Sequence, residues 1–227
     1  SKSVSSKSAA SQPQKPLERR DLASEVARFD AVLRAQAQAA DLKRTAAQLR
    51  KDRAAAQDRG DIARAIQLAS AVLIREPAAT ADWLTYARMA AAVDSDDYEQ
   101  QQRQHRNARV AAYAGYQHAA TPAQRAEALM VLGEVQINAS LFRPALDAYR
   151  ASLAIVDDPA VRNVYAELRA TYGFRITGNS VDSDAASPRA CFQFSESVAA
   201  GVDFAPFVAV AGAAHAPPPP PGPPSCA

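Results

Sequence analysis

Residues 121–159 read TPAQRAEALMVLGEVQINASLFRPALDAYRASLAIVDDP. Thr121 is a capping residue and Pro122 sits where a helix tolerates a missing N–H. Gln124 is placed to reach back and close a capping box. Leu129, Leu132, Val135 and Ile137 supply the apolar residues of the helix that follows. Asn138-Ala139-Ser140 makes a turn, after which Phe142, Ala145, Leu146, Tyr149 and Leu153 recur at steps of three and four. Asp158-Pro159 then repeats the cap-and-proline start. The stretch predicts two antiparallel helices joined by a tight turn, with a third beginning behind them.

The same grammar extends outward in both directions. Val161, Val164, Tyr165, Leu168 and Tyr172 stripe the last helix, and Gly173 ends it as a C-terminal glycine does. Upstream, Gly60-Asp61 is a break followed by a cap. Ile62, Ala65, Ile66, Ala69, Val72 and Leu73 form one face, and Pro77 stops that helix. Another helix starts near Thr80 with Trp83, Leu84, Ala87 and Ala90. The acidic cluster Asp94, Asp96, Asp97 breaks it, and a polar helix follows from about Asp97 to His118. Leu22, Val26, Phe29, Val32 and Leu33 make an earlier stripe, which predicts one long helix or two with a soft join over 16–59. The run Arg50-Lys51-Asp52-Arg53 within it reads as a solvated face. Residues 1–15 show no periodicity and read as disordered.

The spacing of these helices resembles the tetratricopeptide repeat, a helix pair that stacks with its neighbours into a solenoid. Leu132-Gly133, Phe142, Ala145 and Tyr149 carry the resemblance in one unit, although Gln136 stands where tyrosine is usual and Pro159 comes late. Gly60, Ala65, Ala69 and Pro77 resemble the second half of another unit, and Trp83, Tyr86, Ala87 and Ala90 the first half of the next. Residues 94–118 lack the pattern and are too polar for a regular second helix. An irregular array is therefore expected, with a generic antiparallel bundle as the alternative.

After Gly173 the period falls towards two. Phe174 and Ile176 alternate with Arg175 and Thr177; Ala190, Phe192 and Phe194 alternate with Cys191, Gln193 and Ser195; Phe207, Val208 and Val210 form a third run. Gly178-Asn179-Ser180 and the segment from Asp182 to Pro188 read as turns. The stretch Val181-Asp182-Ser183-Asp184-Ala185-Ala186-Ser187-Pro188-Arg189-Ala190-Cys191-Phe192-Gln193-Phe194-Ser195-Glu196, with Phe174 to Thr177 before it and Val202 to Val208 after it, resembles the start of the first macroglobulin-type β-domain of bacterial α2-macroglobulin-family proteins. That resemblance implies an exported protein of a protease-trapping family, hence a periplasmic or extracellular location and endopeptidase inhibition as the parent activity. It also implies a second cysteine in a later strand as the partner of Cys191. The Cys-x-Glu-Gln thioester of many family members does not occur in this chain, so the resemblance implies ancestry rather than a working inhibitor. From Ala213 the likeness ends in a run that is proline from 217 to 224 except for Gly222. A truncated or frame-shifted product, or a fragment, is expected; a natural Pro-rich end is the alternative.

Composition narrows the function classes. Across 227 residues, 26 Lys and Arg nearly balance 24 Asp and Glu, and aromatics make up only 7%. That does not suggest nucleic-acid binding, which shows a basic stripe interleaved with aromatics. No apolar run approaches the roughly 20 residues that span a bilayer, and no signal peptide is visible in this numbering. The 2 cysteines, Cys191 and Cys226, read either as two unrelated thiols or as a bridge from a strand to the Pro-rich tail. His105, His118 and His215 lie far apart and without ligand spacing, and the first two read as solvated. Asp94, Asp96 and Asp97 lack the glycine and glutamate of a calcium loop. No nucleophile elbow or phosphate loop occurs. No catalytic, cofactor-binding or metal-binding residue is expected.

The expected architecture is mostly α: disordered 1–15, a helix or helix pair over 16–59, tetratricopeptide-like repeats over 60–173, an incomplete macroglobulin-like β segment over 174–212, and a disordered Pro-rich tail over 213–227. The expected function is that of a non-catalytic binding or scaffold region with protein partners, a protease or an envelope protein. The alternative is a free-standing tetratricopeptide-type adaptor, with Asn138 or Arg143 as groove anchors and Trp83 and Tyr149 as the residues to test.

Overall fold

The structure of the chain, a computed structural model, describes residues 16–182 and 189–198. It is mostly helical. The described residues hold nine α-helices and two strands: α1 (Arg20–Val26), α2 (Phe29–Gln36), α3 (Ala46–Asp58), α4 (Ile62–Arg75), α5 (Thr80–Ala91), α6 (Tyr98–His118), α7 (Pro122–Asn138), α8 (Phe142–Ile155), α9 (Pro159–Tyr172), β1 (Ile176–Asp182) and β2 (Arg189–Phe194). They fall into two units, Ser1–Tyr172 and Gly173–Ala227. Segment 1–15, the third strand-like run at Phe207–Val210 and the Pro-rich tail lie outside the described residues.

Three helical hairpins, α3–α4, α5–α6 and α7–α8, follow one another in the first unit, and α9 packs on α8. The first and third turn alike. Arg59 closes α3 and Gly60, at φ 74°, reverses the chain; the Asp61 N–H donates back to the Ala56 carbonyl. Ser140, at φ 58°, does the same after α7, and the Leu141 N–H donates to the Gln136 carbonyl. Both are Schellman closures, which require a left-handed residue at that position. Asp61 then caps α4 through the Arg64 N–H at 3.0 Å. The capping box read at Thr121 and Gln124 is present in full.

Small residues let the hairpins close tightly. A Cβ on Gly133 would sit 2.8 Å from the Tyr149 ring, and one on Gly115 would sit 2.7 Å from a Leu84 methyl. Gly115 belongs to the stretch expected to be too polar for a regular second helix. The helix read from about Asp97 to His118 is there, a continuous 21 residues, but it packs on α5 as a regular second helix, which corrects the expectation that it is too polar for that place. Its polar residues crowd into the first half, while Ala108, Val110, Ala111, Ala112, Tyr113 and Ala114 bury the second half. Alanine and glycine make a packing face that bulk-based pattern reading passes over.

The N-terminal region also differs from expectation. In place of one helix or two, α1 and α2 meet at a short turn, a 3₁₀ turn spans Asp41–Lys43, and α3 begins afresh. Thr45 and Gln48 form a second capping box that starts α3. Leu22, Phe29 and Leu33 are each only 3% exposed. α2 packs on α4 and α1 on α6, so the stripe read from the sequence lies between these two second helices of successive hairpins.

In the second unit β1 and β2 pair antiparallel, with Asn179 opposite Phe192 and Ser180 opposite Cys191. The turn expected at Gly178-Asn179-Ser180 is therefore strand. The register slips between Ile176 and Gly178, a bulge that lets the chain continue pairing. A Cβ at Gly178 would approach the Gln193 Oε1 to 3.2 Å, so glycine fits the crowded position. Phe174 stacks on Phe194 at 5.1 Å. Cys191 is disulfide-bonded, which corrects the reading of two unrelated thiols; its bond partner lies outside the described residues.

Candidate functional site

Arg50 and Arg53 are three residues apart on α3 and so share one face. That face meets the first turn of α5, where Asp82 is 7% exposed. Arg50 donates to the Asp82 Oδ2 from Nε at 2.9 Å and from Nη2 at 2.6 Å, and it also bonds Glu76. Arg53 donates from Nη1 to the other carboxylate oxygen at 2.7 Å. One carboxylate thus clamps two guanidiniums from a neighbouring helix. Burial pushes the Asp82 carboxyl up, but the hydrogen bonds from Arg50 and Arg53 outweigh it and hold its pKa below the usual carboxylate value. Hydrogen bonds to Asp82 and Glu76 in turn raise the Arg50 pKa. The charged run read as a solvated face is corrected here: Arg50 and Arg53 are built into the α3–α5 contact, and Asp52 pairs with Arg44.

These side chains line one end of a groove of about 510 Å³. Thr80 and Thr85 on α5, His118 at the end of α6 and Gln124 on α7 complete the polar lining. The groove lies where α3 meets the first turns of α5 and the start of α7; farther along, the Arg88–Glu134 pair at 3.3 Å bridges α5 to α7. His118 is exposed and stacks on the Trp83 ring at 6.0 Å and 10°. Among the described residues, Arg50 Nη1 and Arg53 Nη2 take no part in the bonds to Asp82 and Glu76. The groove therefore offers guanidinium donors held in place by salt bridges, flanked by the Gln124 amide nitrogen; the Thr85 hydroxyl already donates to the Ala81 carbonyl at 2.8 Å. That donor set can bind carbonyl and carboxylate groups.

The residues singled out from the sequence fall elsewhere. Trp83 and Tyr149 are buried at 5% and 3% exposure. Trp83 donates from Nε1 to the Pro77 carbonyl at 2.7 Å. Tyr149 packs on Gly133, and burial, with Glu134 adding, has its pKa pushed up to about 12. Both are packing residues, so changing either reads folding rather than binding. Asn138 is exposed at the end of α7 and Arg143 half-buried at the start of α8; neither lines this groove. Asp97 caps α6, accepting from the Glu99 and Gln100 N–H groups. His105, expected in solvent, is buried on the inner face of α6, and burial, with Arg109 adding, lowers its pKa. His215 and Asp184 lie outside the described residues. Asp182 ends β1 opposite Arg189.

Gln136, on the tyrosine position of the repeat pattern, is fully buried, and neither amide atom finds a hydrogen-bond partner. Asp82 and its two arginines left no local pattern to read, because the pairing spans about thirty residues. The usable signal was the three-residue spacing of Arg50 and Arg53. Among the described residues no group of three His, Cys, Asp or Glu side chains could hold a metal ion, and no helix is long and apolar enough to cross a membrane.

No protein-family model matches the chain, and no curated protein matches it either.

Proposed function

We propose that the helical unit is a non-catalytic protein-binding scaffold whose working surface is the α3–α5–α7 groove, holding an extended peptide. The observation that carries this reading is the clamped pair Arg50 and Arg53, which presents immobilised guanidinium edges to an open groove. Ordering long side chains at binding costs affinity, and here Asp82 orders them beforehand. Backbone carbonyls or acidic side chains of the peptide meet the arginines, the Gln124 amide nitrogen donates a neutral hydrogen bond, and the Thr85 oxygen, whose hydrogen goes to the Ala81 carbonyl, accepts one. The test is a displayed library of random peptides selected on the full chain and counter-selected on Thr85→Arg, which fills the groove from a half-buried position. A peptide family that binds the chain and not the variant, with the variant's helix content unchanged, is the expected result. Enrichment of nothing beyond what Thr85→Arg also retains would overturn the reading.

A second reading concerns the parent protein. We propose that the chain belongs to the leader region of an exported α2-macroglobulin-like protein whose trapping activity resides in other domains. The likeness from Val181 to Glu196 supports this, as do the antiparallel pairing of β1 with β2 and the disulfide at Cys191, a bond that persists in oxidising compartments. Sequencing the transcript beyond this chain tests it. Further macroglobulin domains or a Cys-x-Glu-Gln motif are expected in one of the frames; their absence from every frame contradicts it.

A further inference from the structure

The guanidiniums in the α3–α5–α7 groove are matched by carboxylates. Asp82 pairs with both Arg50 and Arg53, and Glu76 pairs with Arg50. The groove therefore presents N–H edges without the field of bare cations. An acidic side chain gains little there, because Asp82 and Glu76 repel it where Arg50 and Arg53 attract it. A neutral carbonyl meets the same N–H groups without that repulsion.

The uncommitted polar atoms of the lining are weighted towards donors. Arg50 Nη1, Arg53 Nη2 and Gln124 Nε2 lie outside the salt bridges and the capping box described above. The first turn of α5 adds the N–H groups of Thr80 and Ala81, which have no acceptor inside the helix. No side chain caps that end, and both residues line the groove. The Thr85 hydroxyl has given its hydrogen to the Ala81 carbonyl. An ordinary peptide brings an N–H for each carbonyl, so half of its backbone polar groups are of the kind this lining already holds in excess. A proline-rich segment brings carbonyls alone.

The walls suit the same ligand. Ala78, Ala79, Ala81 and Ala120 give a low apolar surface. His118, exposed and lying at 10° to the Trp83 ring, gives a flat face beside it. Proline-rich segments dock in grooves with aromatic walls as preformed polyproline II helices. That form is extended and needs no internal hydrogen bonds, so binding orders little of the ligand.

We infer that the ligand of this groove is a neutral, proline-rich segment of a partner protein in the polyproline II form, with its carbonyls on the N–H groups of Arg50, Arg53 and Gln124 and its rings against His118 and the alanines. The inference rests on the α3–α5–α7 groove being the working surface, and it narrows what that surface takes to carbonyls rather than carboxylates.

The test titrates the full chain with a fluorescent oligoproline of about nine residues, about 28 Å long in this form. Gly-Ser peptides of equal length, with and without glutamates, are the comparison. Saturable one-to-one binding of the oligoproline is expected, at least about tenfold tighter than either comparison peptide. Raising the salt from about 0.05 to 0.5 M should change it less than about twofold, since the ligand is uncharged. Gln124→Glu keeps the acceptor of the α7 capping box and removes the donor. It should weaken the oligoproline about fivefold at unchanged helix content. Tighter binding of the glutamate peptide, equal binding of all three, binding of none, or indifference to Gln124→Glu overturns the inference. The groove reading stands in each of those cases if selected peptides are still lost on Thr85→Arg. Oligoproline binding that survives Thr85→Arg unchanged overturns both.

Discussion

Single residues decide how closely these helices approach and where the chain turns. Ser140 occupies the left-handed position that Gly60 fills in the equivalent turn. A side chain there is strained by about 1 kcal/mol relative to glycine. Ser140→Gly should therefore raise stability by about 0.5–1 kcal/mol, read as a higher urea midpoint at unchanged slope. A lower midpoint would mean that the hydroxyl holds something the geometry does not reveal. Gln136 carries the opposite kind of strain, a fully buried amide with both atoms unpartnered. An orphaned buried polar group costs about 1–3 kcal/mol. Gln136→Met, of similar length, should stabilise the chain by about 1 kcal/mol, and a destabilised variant would show that the amide is satisfied by a buried water. The sequence marked both positions, one as a turn serine and the other as a departure from the repeat pattern. Burial, which turns a departure into an energetic cost, is a property of the folded neighbours and was not legible there.

At the scale of elements, helix starts were legible and charge pairing was not. Thr121, Asp61 and Asp97 each cap the helix that follows, because a cap is a local hydrogen bond within three residues. The break before α3 was equally local, in Thr45 and Gln48, yet it was hidden inside an alanine-rich stretch that reads as continuous helix. The clamp of Asp82 on Arg50 and Arg53 joins two helices across a long sequence interval, so no window of sequence contains it. Asp82→Asn leaves two partly buried guanidiniums without their counter-charge. It should cost about 2–3 kcal/mol at neutral pH, less than a fully buried pair because Arg50 still reaches solvent. The pH dependence has a definite sign. Asp82 and Asp41, the latter hydrogen-bonded to Arg64, have folded pKa values below the ordinary 3.8. The stability they contribute is present above that value and is lost as pH falls below it through their folded pKa values. Urea midpoints measured from pH 6 down to pH 2 should fall less steeply for Asp82→Asn than for the unmodified chain. Parallel curves would remove the clamp from the stability of the fold.

At the scale of the molecule, the helical hairpins hold the core and the strands do not. Buried leucines, valines, alanines and tyrosines run from α4 through α8, whereas Ile176, Val181 and Phe192 in the strands are exposed. A pair of strands is marginally stable alone. The boundary near Gly173 was legible because the apolar period changes there. The seating of α1–α2 between α4 and α6 was not, because periodicity shows which face of a helix is buried and never against what. The proposed α3–α5–α7 groove depends on the helical array folding as one body, so amide hydrogen exchange on the full chain tests the account most directly. The slowest amides are predicted in Ala65–Leu73, Leu84–Ala91, Ala108–Gly115 and Ala128–Gln136, with those of Ala190–Phe194 exchanging far faster. Strong protection across Ala190–Phe194, or independent fast exchange of the three hairpins, would contradict it.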